Sequence, residues 1–326
     1  MQTEAIVVRE QGVARLETVA LPEMSASRVR VRTVLSGVSC GTEGDSASGR
    51  AAYIKPPFIT GYQAVGEVVE VGSEVASVSL GNLVYTTGGM LWSMPSLFGG
   101  SHAREIVTDE TELFRLSPTV PSAPTAAYTT LAAVGLEGVA RMHLVPGRVA
   151  VVFGLGMLGQ LAGKFLQLRG LRVVGVNRAA WKRDEALRFG FDAVCAPDEA
   201  EIRATVASLG CGPAHFAVDL TGSQVIFDLA LSILDPFGEI SLLGYYPDPF
   251  LVSFDVCHGK QLTIHNPVGL GDQAPQVIRW TEEGRLNIET LIKHTIKPTD
   301  ATEFYRDLIE NHSKYLGVII DWRDHH

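Results

Sequence analysis

The chain has 326 residues, 46% of them hydrophobic and 19% charged, with a formal net charge of −9 at pH 7. That length suits about two domains with ample core, and the acidic balance argues against a nucleic-acid or anionic-membrane surface. No apolar run reaches transmembrane length, no signal peptide is visible, and Cys40, Cys195, Cys211 and Cys257 form no C-x-x-C pair. A reduced, cytoplasmic protein without a disulfide scaffold or zinc ribbon is the expectation. The terminal His325-His326 pair reads as native sequence or the remnant of a tag and carries no site.

Residues up to about 120 read as short strands, at 5–8, 14–18, 28–34, 61–71, 83–87 and 102–108. Gly12, Pro22, Gly66, Gly72 and Gly81 punctuate them. Short strands with this many glycines predict a partly open antiparallel barrel rather than βαβ units. Pro118, Pro121 and Pro124 mark a boundary, and 126–141 follows with a helical pattern.

From Val149 the pattern changes. Val149 to Phe153 is a β-branched apolar run that reads as a buried parallel strand. Gly154, Gly156 and Gly159 follow at G-x-G-x-x-G spacing, then helix formers from Gln160. In a dinucleotide site the first glycine permits the tight turn, the second admits the pyrophosphate to backbone, and the third lets helix pack on strand. The helix N-terminus, at Leu155, Met157 and Leu158, then offers N–H groups to phosphate. Strands at 171–176, 193–195, 216–220 and 238–244 alternate with helices at 181–189, 202–209 and 224–234. This alternation predicts a doubly wound parallel sheet, with ligands outside the carboxyl ends of its strands. Those ends are Asn177-Arg178, Thr221-Gly222 and Leu243-Gly244-Tyr245. Helices at 274–283 and 301–311 and a strand at 316–321 complete the chain.

About 20 residues past the glycines, an acidic residue would bond the ribose 2′-OH of NAD. This chain has Asn177-Arg178 there, with Lys182 and Arg183 one turn on. A guanidinium pairs with a 2′-phosphate that a carboxylate would repel, so the expected cofactor is NADP(H). The plainer reading of Arg178, Lys182 and Arg183 is a solvated helix face shared with Asp184 and Glu185, a reading that suits Lys182 or Arg183.

Three further stretches carry a family resemblance. Gly37-Val38-Ser39-Cys40-Gly41-Thr42-Glu43 is similar to a G-x-x-C-G-[ST]-[DE] turn, 61–72 to a G-H-E-x-x-G-x-V-x-x-V-G segment, and Pro146-Gly147 precedes the glycine strand. With these motifs the chain resembles, nearly end to end, the medium-chain dehydrogenase/reductase (alcohol dehydrogenase-like) superfamily. The Gly-Thr-Glu form, with Leu97-Phe98-Gly99-Gly100, is nearest the branch that includes bacteriochlorophyllide hydroxyethyl dehydrogenases. The resemblance implies an α/β protein with a GroES-like β-barrel catalytic domain at 1–122, an NADP-binding Rossmann domain at 123–265 and a return segment at 266–326. It also implies a homodimer paired through the strand at Thr263-Ile264 and a small-molecule substrate, with no nucleic-acid or membrane partner.

The departures from the family matter most. Zinc members hold their metal with the Cys of the first motif, the His of the second and a later Cys, Asp or Glu, leaving one position open. Here Cys40 remains, but Tyr62 and Gln63 stand where the His and its neighbouring Glu would be, Thr130 falls near the third position, and no four-cysteine lobe lies between Gly81 and Gly100. The expectation is a zinc-independent enzyme. Tyr62 then becomes the candidate donor to a substrate oxygen, Thr42 the relay hydroxyl and Glu43 a proton carrier. Each has a plainer reading. Tyr62 fills the old metal cavity, Glu43 bonds backbone N–H groups in its own turn, and Cys40 is an inert buried residue. Tyr53, Lys55, Tyr128 and His102 are unranked polar candidates. Cys40, Gln63, Trp92, Met94, Phe98, Tyr245 and Tyr246 are candidate pocket walls. Two reactions fit: ketone/secondary-alcohol interconversion on a small or ring-containing substrate, which the Cys-Gly-Thr-Glu remnant favours, or reduction of a double bond conjugated to a carbonyl. A non-catalytic nucleotide-binding redox sensor is the minor alternative.

Overall fold

The computed structural model describes residues 1–323 apart from Pro121, Pro247 and 269–272. Pro121 of the proline boundary and the His325-His326 pair therefore lie outside the described residues. Two compact units result, Met1–Thr130 with Ala274–His326, and Leu131–Gln273.

The unit Leu131–Gln273 is built on a six-stranded sheet. Its strand order is Ala193–Cys195, Arg172–Val176, Val149–Phe153, Ala214–Asp219, Glu239–Leu242 and Thr263–His265. Every neighbouring pair is parallel. All five residues of Val149–Phe153 are buried, as expected for a central strand covered on both faces. The chain steps outward from this strand to one edge, then restarts on its other side at Ala214–Asp219. That reversal is the topological switch point of a doubly wound fold. Helices Met157–Leu168, Ala180–Phe189, Glu199–Ser208 and Gln224–Ile233 occupy the expected crossovers. Gly190 ends the second of these at φ +113°, a conformation that favours glycine. The helix Phe254–Lys260 was not expected. At seven residues it is too short to show periodicity, and its one local cue is Ser253, whose side chain accepts the Val256 N–H.

The other unit carries two sheets. Val13–Ala20, Gln2–Glu10 and Phe58–Ile59 form the smaller one. The larger runs Ile292–Ile296, Gly317–Asp321, Arg28–Val38, Ala64–Val71, Leu83–Thr86 and Leu113–Arg115, with Glu105–Asp109 also pairing to Arg28–Val38. All of these pairs are antiparallel except Ile292–Ile296 with Gly317–Asp321. The return segment thus adds two strands, at Ile292–Ile296 and Gly317–Asp321, to a sheet begun at Arg28. It also adds the amphipathic helix Ala301–Asn311, which buries Ala301, Phe304, Tyr305 and Leu308.

Two local expectations need correction. The 126–141 stretch is not one helix: Ala123–Ala126 and Thr129–Ala140 are separate, with Ser122 capping the first through the Thr125 N–H. The 37–43 stretch is not only a turn, because the helix Cys40–Ala47 begins inside it. Gly41 and Gly44 hide that helix from propensity reasoning. It is held by tertiary packing, and any side chain added at Gly44 would meet Leu308 of the return helix at 3.6 Å. Among the described residues, no helix is long and apolar enough to cross a membrane.

A Cβ at Gly159 would collide with the carbonyl oxygen of Gly154. Gly159→Ala is therefore expected to lower stability by about 1–3 kcal/mol through forced backbone displacement, measured by urea unfolding.

Candidate active site

Gly154, at φ +96°, turns the chain out of the strand Val149–Phe153. Gly156 caps the helix Met157–Leu168 with no side-chain cap bond, and a Cβ there would meet nothing within 4 Å. Backbone can therefore be approached closely at Gly156, beside the positive dipole end of this helix. Leu155 and Met157 have buried side chains, so only their backbone can serve a ligand. The loops after two neighbouring strands meet beside the glycines. A Cβ on Gly222, at φ +63°, would strike the Tyr245 carbonyl, and one on Gly244 would lie 2.9 Å from the Gly222 nitrogen. Asp219 fastens this corner, accepting from the Thr221 N–H (2.8 Å), the Thr221 hydroxyl (2.7 Å) and the Tyr246 hydroxyl (2.7 Å). Burial raises the Asp219 pKa, against the pull of these bonds.

The basic residues after the strand Arg172–Val176 divide by role. Arg183 donates to the carbonyls of Asn177 (2.7 Å) and Arg178 (3.0 Å), bracing the strand-end loop. Asn177 accepts the Ala179 N–H at 2.9 Å, an Asx turn. Lys182 is buried, with its ammonium 5.3 Å from the centre of the Trp181 ring. Arg178 is exposed, and among the described residues its guanidinium meets no hydrogen-bond or ion-pair partner. The open glycine and the helix end without a side-chain cap fit the pyrophosphate of a dinucleotide.

The second cluster is built on the helix Cys40–Ala47. The Tyr62 phenol is buried, with the Ser39 and Thr42 side chains and the Glu43 charge in its surroundings. Burial chiefly, and the Glu43 charge in addition, push its pKa well above the ordinary tyrosine value, outweighing the opposing pull of the Ser39 and Thr42 side chains. Phe98 stands edge-on to Tyr62 at 5.7 Å and tilts against Tyr53 at 5.4 Å. Phe98 is 54% exposed and sits at φ +48°, an uncommon conformation for an aromatic residue and one often kept for function. Trp92 is buried in the core, and its indole N–H donates to the Gly99 carbonyl at 2.9 Å, so it props the Phe98 loop rather than forming an open wall. Gln63 is likewise inside, its amide donating to the Gly37 carbonyl at 3.2 Å. Cys40 is half-buried, its thiol 4.0 Å from the Leu316 carbonyl. Tyr128 is structural: its hydroxyl donates to the Val318 carbonyl and accepts the Val318 N–H, both at 2.7 Å.

Glu43 has a full set of partners. Its carboxylate accepts the Ser39 N–H (2.9 Å), faces His102 Nε2 (3.0 Å) and takes the Tyr305 hydroxyl. His102 Nδ1 bonds the Ser36 hydroxyl at 2.8 Å, and the Trp322 indole donates to the same oxygen at 2.9 Å. A Cβ at Gly61 would collide with the His102 ring, so glycine there makes the room. Burial and Glu43 together raise Tyr305 well above the ordinary phenol value. Ser36, Ser39, Tyr305 and Trp322 escaped sequence reasoning. Tyr305 lies 262 residues from Glu43 on a helix whose pattern marks it only as core.

The open glycine cradle on a doubly wound sheet, with a second unit bearing a hydroxyl cluster, defines a dinucleotide-binding oxidoreductase fold. Residues 25–118 match the alcohol dehydrogenase GroES-like domain family and 158–283 the zinc-binding dehydrogenase family. L-threonine 3-dehydrogenase of Pyrococcus horikoshii is 26% identical, over 89% of this chain and 90% of that protein. The 2-desacetyl-2-hydroxyethyl bacteriochlorophyllide A dehydrogenase of Cereibacter sphaeroides is 25% identical, over 99% of both chains. The solved structure of 2R,3R-butanediol dehydrogenase from Bacillus subtilis superposes with a TM-score of 0.87 at 21% identity, covering 98% of this chain and 99% of that one. The chain belongs to the medium-chain, alcohol dehydrogenase-like superfamily and is an oxidoreductase of that type.

One matched family is zinc-binding, so the residues at its metal position deserve a direct test. Cys40 offers one thiol; Tyr62 and Gln63 are engaged as described, and Thr130 bonds the Tyr62 carbonyl at 3.2 Å and the Tyr85 hydroxyl. Among the described residues, no group of three His, Cys, Asp or Glu donors includes Cys40. Three protein ligands are what a catalytic zinc needs, and this set does not fit one.

Tyr305→Phe removes one donor from a buried carboxylate. It is expected to cost about 1–3 kcal/mol in urea unfolding, while Tyr53→Phe, on a half-exposed hydroxyl, should cost clearly less.

Proposed function

We propose that the protein is a zinc-independent, NADP(H)-dependent oxidoreductase that interconverts a ketone and a secondary alcohol on a small or ring-containing substrate. The observation that carries this reading is the Tyr62 phenol, buried near the Ser39 and Thr42 hydroxyls at a position without a metal-ligand set. The bound dinucleotide supplies the hydride. Gly154 to Gly159 and the helix N-terminus hold its pyrophosphate, Thr221 to Gly222 and Leu243 to Tyr245 border it, and Arg178, at the end of the strand Arg172–Val176, pairs with its 2′-phosphate. In this reading 1–122 and 266–326 make the catalytic domain and 123–265 the cofactor domain.

Without a Lewis acid, the substrate oxygen needs a hydrogen-bond donor as it gains charge. Tyr62 fills that role as a neutral phenol. Its raised pKa makes it a weak acid, but an alkoxide is a stronger base than a phenolate, so proton delivery after hydride transfer runs downhill. The Ser39 and Thr42 hydroxyls in its surroundings would relay a proton from solvent back to the phenolate, each giving one proton and taking one. Glu43 is a positioning residue, with its oxygens committed to Ser39, His102 and Tyr305. Phe98 and Tyr53 supply aromatic surface suited to a ring. The relative named for a hydroxyethyl bacteriochlorophyllide supports a ring-bearing secondary alcohol. One observation favours the second reading, reduction of a conjugated double bond: a phenol this hard to ionise suits a substrate that spreads its own charge.

Arg178→Ala is expected to raise the KM for NADPH about 10- to 100-fold, the loss of a bidentate charge-assisted pair, and to leave the KM for NADH within about twofold. Equal shifts in the two would remove Arg178 from the phosphate site. Tyr62→Phe should cut kcat for ketone reduction by about 10²–10³, the typical loss of one such donor. Because the folded-state pKa is raised, Tyr62 keeps its proton beyond the ordinary phenol value of about 10. The reduction rate should therefore show no Tyr62 ionisation below about pH 10, and a Tyr62-dependent fall near pH 8 would exclude this role.

A further inference from the structure

Away from the glycine cradle, the sheet of the unit Leu131–Gln273 carries a second cluster of ligand-type side chains. Glu239 is the first residue of the strand Glu239–Leu242 and is buried. His265 is the last residue of the edge strand Thr263–His265, and the parallel register sets Glu239 beside Thr263 and Ser241 beside His265. Glu239 and Ser241 share one sheet face. Ser241 donates to the Gly138 carbonyl of the helix Thr129–Ala140 at 2.8 Å, so that helix lies over this face. His143, just past the helix, brings the third group. Its Nδ1 lies 3.1 Å from one Glu239 oxygen, and its own N–H donates to the other at 3.1 Å. His265 Nε2 lies 2.6 Å from that second oxygen. The three ligand atoms all fall within 4.8 Å of one another, and among the described residues this is the one such group of three.

We propose that His143, Glu239 and His265 form a zinc site that staples the edge of the nucleotide-binding sheet to the loop after its covering helix. Two imidazoles and one carboxylate are an N₂O set suited to zinc, whereas calcium and magnesium take oxygen ligands. Zinc bonds of about 2.0–2.1 Å place tetrahedral ligands about 3.3 Å apart. The present 3.1 Å and 2.6 Å separations need only a small outward movement of the rings. His143 can make it, since its side chain is 84% exposed. In the bound form His143 Nδ1 and His265 Nε2 present lone pairs, with their protons on the far ring nitrogens. The exposed side of His143 leaves the fourth position to solvent. The His143 N–H on Glu239 is the outer-shell bond that keeps the carboxylate aimed. The site joins a loop, a strand start and an edge strand, so zinc binding adds to the stability of this unit.

The test uses the full-length protein, stripped with a chelator and titrated with Zn²⁺ against a chromophoric competitor. Metal content after dialysis and the thermal midpoint with and without Zn²⁺ are read in parallel. Wild type is expected to hold one zinc per chain and to melt higher with it. His143→Ala, an exposed substitution that leaves the fold intact, should weaken binding at least tenfold and abolish the rise, and His265→Ala should do the same. Cys40→Ser should change neither, and the Co²⁺ derivative should lack thiolate-to-cobalt absorption. No zinc retained by wild type, or zinc retained in His143→Ala and lost from Cys40→Ser, overturns the proposal. These readouts need no substrate, so they stand apart from the Tyr62 kinetics.

Discussion

One buried carboxylate organises the unit that carries the chemistry. Glu43 is fully enclosed, and an ionised group in that position is tolerated only when every oxygen is answered. The answers come from the start of its own helix and from two distant parts of the chain. The Ser39 N–H starts the helix Cys40–Ala47, His102 enters through the space left by Gly61, and Tyr305 arrives on the return helix. Satisfying this group thereby fixes the helix on which Thr42 sits. It also places a negative charge near Tyr62, which adds to the burial that chiefly keeps that phenol protonated. The Ser39 side chain makes no cap bond to its own helix, and Glu43 closes the helix start by accepting the Ser39 N–H.

The nucleotide-binding unit obeys a different constraint, the close approach of backbone to backbone. Gly159 stands where any side chain would strike the Gly154 carbonyl, and Gly222 and Gly244 bring two strand-end loops together. Gly156 is the exception, with open space in front of it. Three glycines in one motif thus answer to packing or ligand access according to position, and the structure separates the roles by what a Cβ would meet.

Local patterns were legible where a residue's role depends on its neighbours in sequence. The strand Val149–Phe153, the glycine turn and the helix Ala301–Asn311 all follow from short-range periodicity and turn chemistry. Arg178 stood out because its place after the second strand is set by the motif itself. The sequence was silent where partners converge from afar. Nothing local marks Tyr305 as a carboxylate donor, Trp92 as a prop for the Phe98 loop, or His143 and His265 as neighbours of Glu239. The helix Cys40–Ala47 was missed for the same reason, since its two glycines oppose it and only tertiary packing sustains it. Lys182 departs from the solvated helix face that its charged neighbours suggest, since its side chain is buried with its ammonium over the Trp181 ring.

The central claim is that a tyrosine hydroxyl, not a metal, serves the substrate oxygen in this member of a superfamily with a zinc-binding branch. Anomalous scattering at the zinc edge, from crystals equilibrated with Zn²⁺ and NADPH, tests it most directly. The account predicts no anomalous peak at Cys40 and Tyr62, together with density for the 2′-phosphate at Arg178. A zinc peak bonded to the Cys40 thiol would contradict it and return the protein to metal-dependent chemistry.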